Sequence, residues 1–495
     1  MHLSILADIT ISPVDILIIV AYLGGVVWLG MRVGRGNQDL SDYLLGSRNL
    51  PWWALLGSIV ATETSTATFL SVPGISYSDG GDLRFLQLAL GYIIGRVIVA
   101  TVLLPAYFDG QMYTAYEVLH RRFGVLTQRI ASMLFLVARN LGDGLRLFLT
   151  AIALEAATGM PLAAAIAVIA VLTVFYTLFG GMKSVVWNDC VQLVVYVVGG
   201  LVTLWLISRS LPSGWGGLYR FAETNDKLRL LDFSFDWNDS LTLWAGVIGG
   251  AFLSIGTHGT DQMFVQRLLA AKDQRDAAKA LVASGFVVFA QFALFLAIGI
   301  GLAAFFAEFP PETEIDTGDR AYARYIVDQM PAGLAGLALA AVFAAAMSTL
   351  SSSLNSSAAA IVGDFRRRGG ESDTESTDAA RLGRVRLLTV VFGVIQGALA
   401  LGAARLSTSV VMDALAIAGF VAGVLLGVFA LGTFTRRGSE ASAIAGMIGG
   451  LAVLSFVKFE TDIAWPWYAV IGSVTTLGTG LCVGLLCAAR QSNGE

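Results

Sequence analysis

"AAAMSTLSSSLNSS", residues 344–357, sits inside an apolar run from Gly333 to Val362, yet carries eight hydroxyl or amide side chains in fourteen positions. On a helix, Ser348, Ser351 and Ser352 fall at i, i+3 and i+4, so three hydroxyls share a face that Asn355 continues and Thr349 flanks. Such a face can coordinate a small hard cation through oxygens. It can equally act as glue, because small hydroxyl residues let membrane helices approach and bond across an interface. Spacing alone leaves both open.

The surroundings settle the environment. In 495 residues, 56% are hydrophobic and only 14% charged, with a mean hydropathy of +0.72, which reads as an integral membrane protein. The net charge of −4 comes without a basic tail, so nothing points to nucleic acid. Cys190, Cys482 and Cys487 lie in or beside apolar runs without disulfide or zinc spacing and read as packing residues. "MHLSILADITISP" has no Lys or Arg, and the apolar run from Val14 to Leu29 is followed by Arg32 and Arg35. That pattern predicts a retained first span with its N-terminus outside rather than a cleaved signal.

About 20 apolar residues are needed per crossing. Thirteen runs qualify, near 13–31, 51–74, 83–106, 127–156, 161–180, 184–208, 242–263, 278–307, 332–363, 383–404, 408–432, 440–457 and 466–489. With the N-terminus outside, twenty Lys and Arg fall in loops that are then cytoplasmic, among them Lys183, Arg267, Lys272 and Arg366 to Arg368, against eight on the other side. Basic loops stay in the cytoplasm, so the expected topology is N-out and C-in. Loop 364–386 reads as a solvated, mobile cytoplasmic linker. The acidic loop 308–331 reads as a cap over a vestibule or a solvated crossover.

No G-x-x-x-x-G-K-[ST], H-E-x-x-H or G-x-S-x-G occurs, so an ATP-driven pump or membrane hydrolase lacks support and no enzyme is expected. A carrier, a channel or a sensor remains. Polar residues inside spans are therefore the functional candidates. In "VATETSTATFLSVPG" (60–74), Thr62, Glu63, Thr64, Ser65, Thr66 and Thr68 stand mid-span. Continuous β-branched and hydroxyl residues weaken a helix, and a local break frees carbonyls for an ion. In "FGGMKSVVWNDCVQ" (179–192), Asp189 lies six residues past Lys183, about 9 Å into a helix at ~1.5 Å per residue. It reads as a buried counter-charge or an interfacial aspartate. In "VARNLGDGLRLF" (137–148), Arg139, Asp143 and Arg146 share a face, either to bind a carboxylate or to lock helices.

Together these stretches resemble the sodium/solute symporter family, over roughly residues 13 to 490. Four pieces carry the likeness in order: "GSRNLPWWALLGSIVATETS", "FGGMKSVVWNDCVQ", "GTDQMFVQRLLAAKD" and "AAAMSTLSSSLNSS". The resemblance implies an all-α polytopic membrane protein with a LeuT-type core of two five-helix inverted repeats, about 51–208 and 242–432 within a core of 50–432. An extra helix in 1–36 and two in 433–495 flank it. It implies a sodium site at Ala61, Thr64, Ala345, Ser348 and Thr349, and a possible second sodium at Asp189, Ser348, Ser351 and Ser352. Solute contacts would fall at Glu63, Ser65, Thr68, Gln87, Arg139 or Asn140, and His258. One or two sodium ions serve as coupling ions, with no organic cofactor.

The arginine cluster tilts the expected solute toward a carboxylate, with a sugar or polyol, contacted by Gln87 and hydroxyls, as runner-up. Transporter-like sensors of this family carry long C-terminal soluble domains, whereas this sequence closes on "AARQSNGE". The expectation is a self-sufficient monomer in the plasma membrane, or the inner membrane of a bacterium.

Overall fold

The computed structural model is all-helical over its described residues, 12–34, 40–109, 112–311, 315, 317–365, 378–403, 410–435 and 438–493. The bundle is built from α1 (Pro13–Gly34), α2 (Trp52–Glu63), α3 (Ala67–Tyr77), α4 (Leu86–Phe108), α5 (Val125–Thr158), α6 (Leu162–Ser210) and α7 (Gly250–Thr260). It continues with α8 (Gln262–Leu269), α9 (Gln274–Glu308), α10 (Leu334–Asp364), α11 (Asp378–Ala403), α12 (Val410–Phe434), α13 (Glu440–Glu460) and α14 (Pro466–Asn493). Nine described helices are long and apolar enough to cross a membrane, or ten if α2 and α3 form one bent span.

Thirteen expected spans exceed that number for physical reasons. The run 127–156 is α5, whose Arg139, Asp143 and Arg146 lower its apolarity. The run 161–180 is the first leg of α6, which ends at a kink where Gly181 takes φ 59°. The run 242–263 begins with a π-helical turn, Ala245–Gly249, and α7 stops at Asp261. Asp261 starts a second helix, its carboxylate accepting from Met263 N at 2.8 Å, as an N-cap does.

Helix α10, which carries the opening stretch, is the axis of the molecule. Of the residues in its membrane-crossing stretch, 89% are buried, against 17% for α1 and 28% for α14. Alanine and serine make this possible, because their small side chains let neighbours approach on every side. Its N-terminus is capped from another helix: Asp15 of α1 accepts from Gly333 N at 2.7 Å and Gly336 N at 2.6 Å.

The expected break in 51–74 is present. Thr64 leaves helical geometry with ψ 85°, its hydroxyl donates to Val60 O at 2.8 Å, and α2 and α3 meet at 65°. A packed aromatic group holds the second half in place: Phe69 stacks on Tyr322 at 5.2 Å and meets Phe295 edge-on at 5.1 Å. Tyr322 lies on a helix, Gly318–Gln329, within the loop 308–331. The described helix of that loop therefore packs against α3. A Cβ on Gly299 would meet Pro73 O at 2.0 Å, so α3 and α9 touch through backbone and only glycine fits.

The segment before α7 is tied to the end of α3. Lys227 Nζ donates to the carbonyls of Ser76 (2.9 Å), Ser78 (3.1 Å) and Gly81 (3.2 Å), satisfying groups that a helix end leaves open. Arg84 pairs with Asp82 at 2.7 Å and Asp232 at 3.0 Å. Hydrogen bonds from Ser234, first its side chain and then its backbone, hold the Asp232 carboxyl below its ordinary range. Of the expected linker 364–386, residues 366–377 lie outside the described residues, as do 404–409 and the first eleven, while 378–386 belong to α11.

Candidate functional site

The unwound end of α2 faces α10. Ser348 Oγ donates to Ala61 O at 2.8 Å and to Ala345 O at 3.0 Å. Thr349 Oγ1 donates to Thr62 O at 2.9 Å and lies 3.4 Å from Ala345 O. Three carbonyls and two hydroxyls therefore converge, all neutral oxygens and all buried. Such a set suits a small hard cation. Ala61, Ala345, Ser348 and Thr349 thus come together as the sequence reading expects, and Thr62 joins them. Thr64, which the resemblance brings to the site through its backbone carbonyl, stands at the break itself, and its hydroxyl lies 2.9 Å from Gln291 Oε1.

Asp189 is fully buried on the second leg of α6, but its company differs from expectation. Its Oδ2 accepts from Ser58 Oγ at 2.5 Å and Arg267 Nη2 at 3.1 Å, with Thr62 Oγ1 at 3.3 Å. The same Arg267 nitrogen donates to Ser352 Oγ and to Thr62 Oγ1. Ser351 bonds within its own helix, to Ser348 O at 3.3 Å. Arg267, counted above as a cytoplasmic loop charge, is instead 1% exposed on α8. The reason is local: α7 breaks at Asp261, and the following turns fold back into the bundle.

Beside the oxygen cluster lies a cavity of about 110 Å³, bounded by Thr62, Glu63, Arg139, Arg146, His258, Asp261 and Thr349 among others. A second, of about 50 Å³, is lined by Glu63, Ser65, Thr68 and Arg146. Glu63 and Arg146 border both. Glu63 pairs closely with Arg96, whose Nη1 donates to Ser284 Oγ at 2.6 Å, and His258 Nε2 stands 3.7 Å away. On the opposite wall, Asp143 takes Arg139 Nε at 3.1 Å and Arg146 Nη1 at 2.5 Å. Arg139 Nη1 lies 3.7 Å from Asp261.

Of the expected solute contacts, Glu63, Ser65, Thr68, Arg139 and His258 line these cavities. Gln87 does not: it donates to Leu241 O at 2.7 Å and accepts from Asp232 N at 3.0 Å, pinning the neighbouring loop. Asn140 does not either, since its amide bonds Leu136 O at 2.8 Å and Gln396 at 3.1 Å. Arg96, Arg146, Asp261 and Arg267 complete the site. A lone arginine in "GYIIGRVIVA" signalled Arg96, and Arg267 lay in plain view within "GTDQMFVQRLLAAKD".

A discontinuous helix, an oxygen cluster at its break and a charged cavity alongside define a membrane carrier that moves a solute without covalent chemistry. The comparisons with known proteins give its family. A model described as the sodium:solute symporter family matches residues 43–450. The "Sodium/sialic acid symporter NanT" of Aliivibrio fischeri is 30% identical over 93% of this chain and 90% of that protein. The "Sodium/sialic acid symporter SiaT" of Proteus mirabilis is 27% identical over 96% and 95%. A solved structure described as the substrate-bound outward-open state of a Na+-coupled sialic acid symporter superposes with a TM-score of 0.85 at 26% identity, covering 96% of this chain and 98% of that one. The nucleobase-cation symporter Mhp1 shares the fold at a TM-score of 0.61 and 15% identity, covering 92% of this chain and 96% of that one. This chain belongs to the sodium:solute symporter family. It is a multi-pass, LeuT-type, sodium-coupled transporter and not an enzyme.

Proposed function

We propose that this carrier couples one carboxylate-bearing solute to sodium, with Ala61, Thr62, Ala345, Ser348 and Thr349 holding the ion and the Arg139–Arg146 wall facing the carboxylate. The observation that carries this reading is the sharing of residues. Thr62 and Thr349 belong both to the oxygen cluster and to the cavity lining. An ion drawn to those oxygens braces the break between α2 and α3, and with it Glu63, Ser65 and Thr68. Each ligand then binds better when the other is present, and linkage makes the effect reciprocal. Arg146 serves the carboxylate through its remaining donors, since Asp143 occupies Nη1 and the side chain reaches both cavities. Sialic acid, the solute named for both reported relatives, bears a carboxylate and is the first candidate.

The core spans 50–432, as repeats of about 51–208 and 242–432, with one flanking helix in 1–36 and two in 433–495. The N-terminus lies outside and the C-terminus in the cytoplasm of the cell membrane. Removing Arg267 from the basic count leaves nineteen against eight, so the orientation stands. The chain acts as a monomer within the lipid bilayer.

The test is uptake into proteoliposomes under an inward sodium gradient, comparing sialic acid, a short monocarboxylate and glucose. Saturable, sodium-dependent uptake of a carboxylate supports the proposal. Sodium-dependent uptake of glucose with neither carboxylate moved would replace it with the sugar reading.

A further inference from the structure

The chain between α6 and α7 lies outside the spans, yet its stretch "LRLLDFSFDWN", residues 228–238, leaves apolar side chains uncovered. Phe233 is 68% exposed, Phe235 56% and Trp237 47%, and Leu228, Leu230 and Leu231 are exposed beside them in sequence. The segment is nevertheless held in place. Asp232, the one buried residue among them, donates its backbone N–H to Gln87 Oε1 at 3.0 Å, and its carboxylate takes Arg84 at 3.0 Å and Arg229 at 2.8 Å. Asp232 thus faces the protein, and the apolar residues flanking it are left outside.

Two spans set the height of the segment. Leu83 N donates to Arg229 O at 3.1 Å, three residues before α4, and Ala464 N donates to Trp237 O at 2.8 Å, two residues before α14. Trp237 packs on Trp467 in the first turn of α14, with ring centroids 4.6 Å apart, and Phe235 meets Trp237 edge-on at 5.1 Å. Both α4 and α14 are long and apolar enough to cross the membrane. The segment therefore runs where two spans leave the hydrocarbon. Aromatic rings collect at that depth, because an apolar body with a polar edge suits the headgroup boundary.

We propose that residues 228–237 are an in-plane anchor in the outer leaflet, with Leu231, Phe233, Phe235 and Trp237 set among lipid headgroups and the first acyl carbons. Lipid rather than a second protein is the occupant, because the segment joins the ends of two helices whose own exposed side chains, such as Ile94 and Val474, already face hydrocarbon. An uncovered apolar patch marks an interaction site, and here the bilayer is the partner within reach. Through Asp232 the anchor fixes Arg84 and Gln87 at the outer end of α4, the helix whose Tyr92 lines both cavities. The anchor does not depend on which solute is carried; only the choice of leaflet rests on the orientation proposed above.

The experiment places nitroxide spin labels at Phe233→Cys and Phe235→Cys in the full chain freed of its native cysteines and reconstituted in phosphatidylcholine vesicles. Relaxation by oxygen is compared with relaxation by a water-soluble nickel chelate, with Asn225→Cys, in an exposed turn, as the water reference. Expected is a several-fold higher ratio of oxygen to nickel access at 233 and 235 than at 225. A ratio equal to that at 225 places the segment in water and overturns the proposal. Low access to both reagents marks contact with protein, a second copy included, and overturns it as well. Should the cysteine-free chain fail to fold, vesicles of lipid brominated near the headgroup decide with the native cysteines in place. Tryptophan fluorescence quenched more in wild type than in Trp237→Phe supports the anchor, and equal quenching overturns it. Reaction of Asn225→Cys with a membrane-impermeant thiol reagent in intact cells tests the orientation separately: no reaction overturns the outer assignment, while the depth measurement still decides the anchor.

Discussion

Ser348 Oγ donates 2.8 Å to the carbonyl of Ala61, joining the most buried of the described membrane-crossing helices to the last turn before the break in its neighbour. That one bond places a hydroxyl where freed backbone carbonyls collect. It makes the ion site a junction between two helices rather than a property of either.

Sodium should therefore stabilise the protein through this junction. In detergent, the melting temperature titrated with NaCl against matched KCl is expected to rise saturably in sodium alone, as a ligand of the folded state requires. Ser348→Ala should cost about 1 kcal/mol of basal stability and abolish the sodium-specific rise. In Ser348→Ala/Thr349→Ala, solute uptake that keeps its full sodium dependence would sink the ion-site assignment.

Glu63 and Arg96 form a buried pair, the arginine side chain 0% and the glutamate 13% exposed. Glu63→Gln leaves the guanidinium without its counter-charge, a change expected to cost about 3–5 kcal/mol. Glu63→Gln/Arg96→Met removes both charges and should recover a large part of that loss. Chemical unfolding of Glu63→Gln, Arg96→Met and the double variant measures the coupling, and additive losses would show that the pair does not interact.

Arg146 borders both cavities and shares Asp143 with Arg139. Arg146→Lys keeps the charge but not the planar fork that grips a carboxylate through two bonds. Expected is a rise in KM for the carboxylate solute of about tenfold, the equivalent of about 1.4 kcal/mol, with little change in maximal rate. Transport kinetics unchanged in both Arg146→Lys and Arg139→Ala would remove the carboxylate wall from the proposal.

Gly299 lets α9 touch the backbone of α3 at Pro73. Gly299→Ala forces the two helices apart, and overpacking of this kind costs about 1–3 kcal/mol. Thermal unfolding should show the loss, and sodium affinity should fall with it because α3 continues from the ion-binding break. A neutral Gly299→Ala would mean that the contact is looser than described.

Much of the site could be read in one dimension because its signals are local. Six hydroxyl or acidic residues crowded into 62–68 compete for backbone hydrogen bonds wherever they fold, so the break was legible. Asp143 between Arg139 and Arg146 was legible because helical spacing alone puts them on one face. Gln87 and Asn140 could not be placed, since an amide in a span looks the same whether it faces a solute or pins a loop.

Sequence by itself determined that this is a membrane bundle, where the run 51–74 is interrupted and which hydroxyls line one face of α10. Those properties follow from apolarity, backbone competition and helical period, all of which act over a few residues. Tertiary structure decided which charges neutralise which. Arg96 reaches Glu63 across 33 positions of chain, and Arg267 reaches Asp189 across 78. Nothing local to either arginine specifies its partner. The helix break at Asp261 turns Arg267 from an apparent surface charge into an internal cation, because a buried guanidinium is stable only where packing brings it a carboxylate and a full set of acceptors.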